Sequence, residues 1–234
     1  EGAKSKKTMK RSKVLVRRQE NAIEDKSKLL KNLETTENLK LFQLPYHTLR
    51  LVSLDEVSIK YGENIVCEKV SFVIEKGDRI SISGKNGSGK SSIVKLICGQ
   101  NIPYTGDLKI GSRMQISYVS QDTSYLKGDL SDYAREHNID ESLFKAILSK
   151  LDFQRVQFEK DISNFSDGQK KKVLIAKSLC EKSHLLIWDE PLNSIDVLSR
   201  MQIENLILEY KPTILFVEHD RAFCQNVATK SVIL

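Results

Sequence analysis

The chain has 234 residues, 40% hydrophobic and 29% charged, enough for one full-sized globular domain and an appendage. No apolar run approaches membrane-spanning length and no signal-peptide pattern is present, so a cytoplasmic protein is expected. Cys67, Cys98, Cys180 and Cys224 are too widely spaced for a zinc or disulfide framework and read as core residues in a reducing compartment. The net charge of +6 lies wholly in the first segment: residues 1–40 hold twelve Lys/Arg against six Asp/Glu, and the remainder balances at twenty-five of each. A partner attracted by charge would be met there. The chain begins with Glu1 and reads as a piece of something longer.

Residues 1 to about 34 are predicted to form one long helix. Met9, Val16, Ile23 and Leu30 recur every seventh position, flanked by Leu15, Ala22 and Leu29, giving a seam too narrow to be buried alone. Its expected mate is a helix preceding this chain. The other faces carry Lys4, Lys6, Lys7, Lys10, Arg11, Lys13, Arg17 and Arg18. That run is either a solvated face or an arm for RNA phosphates, with too few interleaved aromatics for base reading. Residues 35–45 have linker character. β alternation follows at Leu49, Leu51, Ser53, Val57 and Ile59, then a turn at Tyr61-Gly62-Glu63-Asn64 and a strand over residues 70–74. Lys76-Gly77-Asp78 is a tight turn into another strand, Arg79-Ile80-Ser81-Ile82-Ser83.

The loop that follows, Gly84-Lys85-Asn86-Gly87-Ser88-Gly89-Lys90-Ser91, has the phosphate-loop pattern of two glycines flanking four residues, then Lys-Ser. Glycines let successive backbone N–H groups turn toward an anion, and a helix from Ser91 and Ser92 points its positive end at the same place. Lys90 is suited to the β- and γ-phosphates and the Ser91 hydroxyl to Mg²⁺. This is a nucleotide phosphate site.

Beyond it, Pro103-Tyr104-Thr105-Gly106 reads as a turn before short strands over 108–110 and 116–119. Residues 130–158 read as a mostly helical insertion, with a capped amphipathic helix over 140–148. A further helix over 169–179 buries Val173, Leu174, Ala176 and Leu179. Residues 184–188 and 213–217 are unbroken apolar runs suited to parallel strands covered on both faces, with a helix over 197–210 between them. The expected architecture is an α/β core with an antiparallel lobe and an inserted helical lobe. The first apolar run ends in Asp189-Glu190, where Asp189 fits Mg²⁺ binding and Glu190 the polarisation of an attacking water.

Asn164-Phe165-Ser166-Asp167-Gly168-Gln169 resembles the ABC ATPase signature, usually Leu-Ser-Gly-Gly-Gln, with Phe165 for Leu and Asp167 for the first Gly. The resemblance covers about residue 49 to the end. It implies an α/β phosphate-loop ATPase over residues 45–234, with an antiparallel β subdomain and a helical subdomain at about 125–180, preceded by a basic linker over 1–44. It implies that Gln121 is the Q-loop glutamine sensing Mg²⁺ and γ-phosphate, that Ser194-Ile195-Asp196 is the D-loop, that His219 is the switch histidine, and that Tyr61 stacks on adenine. Ser166, Gly168 and Gln169 would meet ATP held by another domain, so a second ABC domain is needed, from a missing N-terminal half or a homodimer mate. Asp167 puts an extra negative charge near that phosphate, implying slower or differently timed turnover.

The basic helix leading into the ATPase domain and the run Glu218-His219-Asp220-Arg221-Ala222-Phe223 resemble the ABC-F branch of tandem ATPases that act on ribosomes. Ser166-Asp167-Gly168-Gln169-Lys170-Lys171-Lys172 and Glu190-Pro191-Leu192-Asn193-Ser194-Ile195-Asp196 look most like its antibiotic-resistance members. That implies ribosomal protection, with rRNA or tRNA contact through the basic helix. The alternative is the nucleotide-binding subunit of an ABC transporter.

Overall fold

The structure, a computed structural model, describes residues 43–234. The expected basic helix lies outside them. The described chain opens with residues predicted to be linker, yet Gln43 bridges to Ser183, and the Leu44 amide donates to the Ser183 carbonyl at 2.8 Å. Gln43 and Leu44, in the stretch expected to be linker, are thus tied to Ser183.

Strands β1 (Arg50–Tyr61) and β2 (Asn64–Glu75) form a long hairpin across Gly62. The inward phase of β1 differs from the expected alternation. Leu51, Val57 and Ile59 are buried as expected, but Leu49 is 63% exposed and Ser53 half-buried, while Val52 and Leu54 are also buried. A bulge explains the shift: the ladder to β2 slips between Leu54 and Val57, and Glu56 takes φ 48°. One extra residue carries the face of Val52 and Leu54 onto Val57 and Ile59, from even to odd positions.

β3 (Arg79–Ser83) runs into the glycine-rich loop, which opens helix α1 (Lys90–Ile97). β4 (Tyr104–Ile110) then pairs antiparallel with β1, starting where a turn was expected. The glycine there serves the bulge: a Cβ on Gly106 would stand 2.3 Å from the Glu56 carbonyl oxygen.

β5 (Ile116–Val119) leads to the helical region, made of α2 (Leu130–Glu136), α3 (Glu141–Lys150), two short 3-10 turns, and α4 (Asp167–Cys180). β6 (Leu185–Asp189), α5 (Val197–Tyr210) and β7 (Ile214–Val217) follow. Every residue of β6 and β7 is buried, as unbroken apolar runs require in a parallel sheet. α6 (Arg221–Val227) and the edge strand β8 (Lys230–Ile233) close the described chain; neither was expected from sequence.

The strands form an antiparallel sheet ordered β2-β1-β4 and a parallel one ordered β5-β6-β7-β3-β8. A single apolar core joins them around α1, taking in Ile59, Ile74, Ile82, Ile93, Ile187 and Leu215. The carboxyl ends of β3, β5, β6 and β7 consequently open onto one crevice, where open parallel sheets place ligands. Among the described residues no helix is long and apolar enough to cross a membrane. All four cysteines are free thiols, Cys67 and Cys180 buried, Cys98 and Cys224 half-buried.

Candidate active site

The loop after β3 is held in a shape only glycine permits at two points. Gly89 caps α1 at φ 90°, and a Cβ there would lie 2.9 Å from Val66 Cγ1. Gly84 sits at φ 149°, where a Cβ would lie 2.7 Å from Ser88 Oγ. The Lys90 side chain folds back along the loop and donates to the carbonyls of Gly84 (3.0 Å) and Lys85 (2.8 Å). The Ser88 hydroxyl is buried with no partner among the described residues. A loop with an orphaned hydroxyl and a cation resting on its own carbonyls is built to gain an anion.

A cavity of about 520 Å³ opens over it, lined by Asn86, Gly87, Gly89 to Ser92 and Val66, with Gln121, Glu190 and His219 from the ends of β5, β6 and β7. Asp189 is 1% exposed and accepts one hydrogen bond, from the Ser91 hydroxyl at 3.2 Å. Burial raises its pKa; the Ser91 bond opposes this, the neighbouring Glu190 charge adds to it, and Lys171 and Lys95 pull it down. A buried carboxylate beside a hydroxyl oxygen, facing a phosphate loop, suits Mg²⁺, which takes few protein oxygens and keeps phosphate and water for the rest.

Glu190 is the hub of the mouth. Its backbone takes φ 49°, its amide donates to the Val217 carbonyl at 3.0 Å, and its side chain meets two partners. Gln121 Nε2 donates to Oε2 at 2.9 Å, and His219 Nε2 lies 3.4 Å from Oε1. Two residues far apart in sequence, Gln121 and His219, thus converge on one carboxylate.

Lys171 escaped the sequence reading, where it was one of three lysines in a basic helix start. It is 3% exposed, and its ammonium donates to the carbonyls of Ser120 (2.6 Å) and Gln121 (3.1 Å). Burial lowers its pKa, and the fields of Asp189, Glu190, Glu218 and Asp122 oppose that. Lys172 is also buried and pairs with Asp196 at 2.8 Å. Partial burial alone would raise the Asp196 carboxyl, but Lys172 and Ser199 outweigh it and hold it at about 2. Nothing in a run of lysines distinguishes a solvated charge from a buried one; only the fold does.

Ser166 and Gln169 begin α4 and do not line the cavity over the glycine loop. They cap each other: the Gln169 amide donates to Ser166 Oγ (3.3 Å) and the Ser166 amide to Gln169 Oε1 (3.0 Å). Gly168 packs on the next motif, since a Cβ there would lie 2.2 Å from the Ser194 carbonyl oxygen. Gly168→Ala must therefore push apart two backbones. It is expected to cost about 1–3 kcal/mol, read as a lowered Tm; an unchanged Tm would mean that the two segments separate freely.

The family described as ABC transporter matches residues 67–193, just over half of the chain. The chain belongs to that family. The ATP-binding protein Uup of Buchnera aphidicola subsp. Acyrthosiphon pisum (strain APS) is 30% identical over 217 residues, 89% of this chain and 36% of that protein. ABC transporter F family member 2 of Arabidopsis thaliana is 27% identical over 188 residues, covering 78% of this chain and 28% of that protein. The solved structure of an ATP-binding subunit of an ABC transporter aligns at TM-score 0.63 and 27% identity, over 79% of this chain and 85% of that one. The chain spans about a third of the length of the curated relatives it matches.

The chain is thus an ABC ATPase domain, with the α/β phosphate-loop fold expected from sequence. Within it the glycine loop, Gln121, Glu190 and His219 line one crevice, Asp189 stands behind Ser91, and residues 166–169 lie outside that crevice. Tyr61 is exposed beside the start of α1, with its hydroxyl 3.3 Å from Ser92 Oγ, while Val66 forms the adjoining cavity wall.

Proposed function

We propose that this domain binds ATP and Mg²⁺ on the loop from Gly84 to Ser92 and hydrolyses ATP at Glu190. The observation that carries the reading is the convergence of Gln121 and His219 on the Glu190 carboxylate, at the mouth of a cavity lined by Lys90 and by Ser91, whose hydroxyl bonds Asp189. Lys90 leaves its loop carbonyls for the β- and γ-phosphates. Ser91 and Asp189, with Gln121, would hold Mg²⁺, which when bound would offset charge developing on the phosphates. Glu190 orients the attacking water and accepts its proton as the water oxygen bonds the γ-phosphorus and ADP leaves. His219 faces the γ-phosphate, and Tyr61 stacks on adenine at the rim.

Ser166, Gly168 and Gln169 serve ATP held by a second ABC domain, contributed by an N-terminal half or by a second copy. Hydrolysis by this chain alone is therefore expected to rise with the square of protein concentration. Brisk turnover independent of concentration would contradict a shared site.

In the full reading, residues 1–44 form a basic interdomain linker before an ATPase domain at 45–234, whose helical lobe at about 125–180 carries the signature. The protein is then a cytoplasmic ABC-F factor that acts on the ribosome and confers antibiotic resistance by ribosomal protection. The placement of all surplus charge in residues 1–40 supports this, as does the match to a relative named in the F family. Neutralising Lys6, Lys7, Lys10, Arg11, Arg17 and Arg18 is expected to weaken ribosome co-sedimentation and to flatten its salt dependence. Undiminished binding would reduce the basic run to a solvated face. The second reading, a transporter's nucleotide-binding subunit, draws on the alignment with such a subunit; co-purification with a membrane permease and no ribosome binding would favour it.

A further inference from the structure

Glu218, immediately after β7, is 9% exposed and has no ion pair among the described residues. Both its oxygens are spent on backbone. Oε2 accepts from the Leu192 amide at 3.0 Å; Oε1 accepts from the His219 amide at 2.7 Å and, at longer range, from the Asp220 amide at 3.4 Å. One side chain thereby ties the loop after β6 to the loop after β7. Leu192 lies two residues beyond Glu190, whose φ of 49° is strained for a non-glycine residue and survives only where its surroundings enforce it. On the other loop, the amide that Glu218 holds most tightly belongs to His219 itself.

We propose that Glu218 is a positioning residue for hydrolysis: by gripping the Leu192 and His219 amides it holds the Glu190 carboxylate and the His219 imidazole at their 3.4 Å spacing. It does not line the cavity and acts through the two loops. A carboxylate is required because both oxygens accept. An amide at the same place offers one acceptor and sets its own N–H groups against a backbone N–H. Buried as it is, that mismatch moves the loops.

The inference rests on the proposed role of Glu190, so the test carries a Glu190→Gln control. Single-turnover hydrolysis of Mg²⁺–ATP is followed with the full chain in excess, alongside nucleotide affinity and Tm, for the unaltered chain, Glu218→Gln, Glu218→Asp and Glu190→Gln. Glu218→Gln is expected to lower the maximal rate per folded molecule about 10- to 100-fold, the range for small misplacements of catalytic groups, with affinity within about twofold. Glu218→Asp keeps two accepting oxygens on a shorter arm and should fall between; if the Gln variant does not fold, a normal rate in the Asp variant overturns the proposal. An unchanged rate for Glu218→Gln overturns it, as does a parallel loss of rate and affinity, which would mark a general support of the fold. If Glu190→Gln turns over normally, the reading beneath the proposal has failed; if only Glu218→Gln does, the proposal alone has.

Discussion

Glu190→Gln should lower ATP hydrolysis about 10²- to 10⁴-fold, the usual contribution of a general base, while Mg²⁺–ATP affinity stays close to that of the unaltered chain. Three acid–base groups stand at or beside the cavity mouth, and two of them are unsuited to the role. Asp189 is fully buried and bonded to Ser91, which suits a fixed ligand and not a group that must meet water. His219 is the more exposed partner and approaches Glu190 from outside. Glu190 alone sits where two other motifs converge, and its left-handed backbone aims the side chain across the strand ends. Glutamine preserves the shape and the contact with Gln121 but cannot take a proton. ATP then remains bound, and because ATP would also be gripped by a second domain, the paired state should accumulate. Gel filtration with Mg²⁺–ATP reads that state directly. Normal turnover, or loss of binding together with turnover, would remove Glu190 from the role.

Lys90→Met should weaken ATP binding about 10- to 150-fold, the value of one charge-assisted hydrogen bond of about 1.5–3 kcal/mol. The ammonium exchanges its bonds to the Gly84 and Lys85 carbonyls for the phosphates, so the net gain is that of about one such bond and not the gross strength of the contact. The loss should be specific to phosphates: adenosine affinity is expected to stay unchanged. An equal loss for adenosine would show that the substitution collapsed the loop, and an unchanged ATP affinity would show that Lys90 does not touch phosphate.

The glycine loop could be read in sequence because its residue types and spacing are themselves the chemistry, and the apolar runs of β6 and β7 because burial on both faces leaves no polar position. The phase of β1 could not. Leu54 and Val57 belong to one face only because Glu56 is a bulge, and nothing local announces it. The turn expected around Gly106 failed for the same reason, since that glycine answers the Glu56 carbonyl across the sheet. β8 is a four-residue edge strand with little buried apolar surface, too weak a pattern to detect before its pairing with β3 is known. In the crevice Gln121, Glu190 and His219 were legible from residue type and motif order, and the buried Lys171 and Glu218 behind them were not. Lys171 looked like a surface lysine, and Glu218 like the neighbour of a histidine.

If the loop at Lys90 grips the phosphates of ATP, amide hydrogen exchange measured across a Mg²⁺–ATP titration will report it at the loop itself. Exchange at residues 84–92 should slow and saturate with nucleotide, and the protection should disappear in Lys90→Met. Exchange there that stays the same at every ATP concentration, with the chain folded and Mg²⁺ present, would contradict the account.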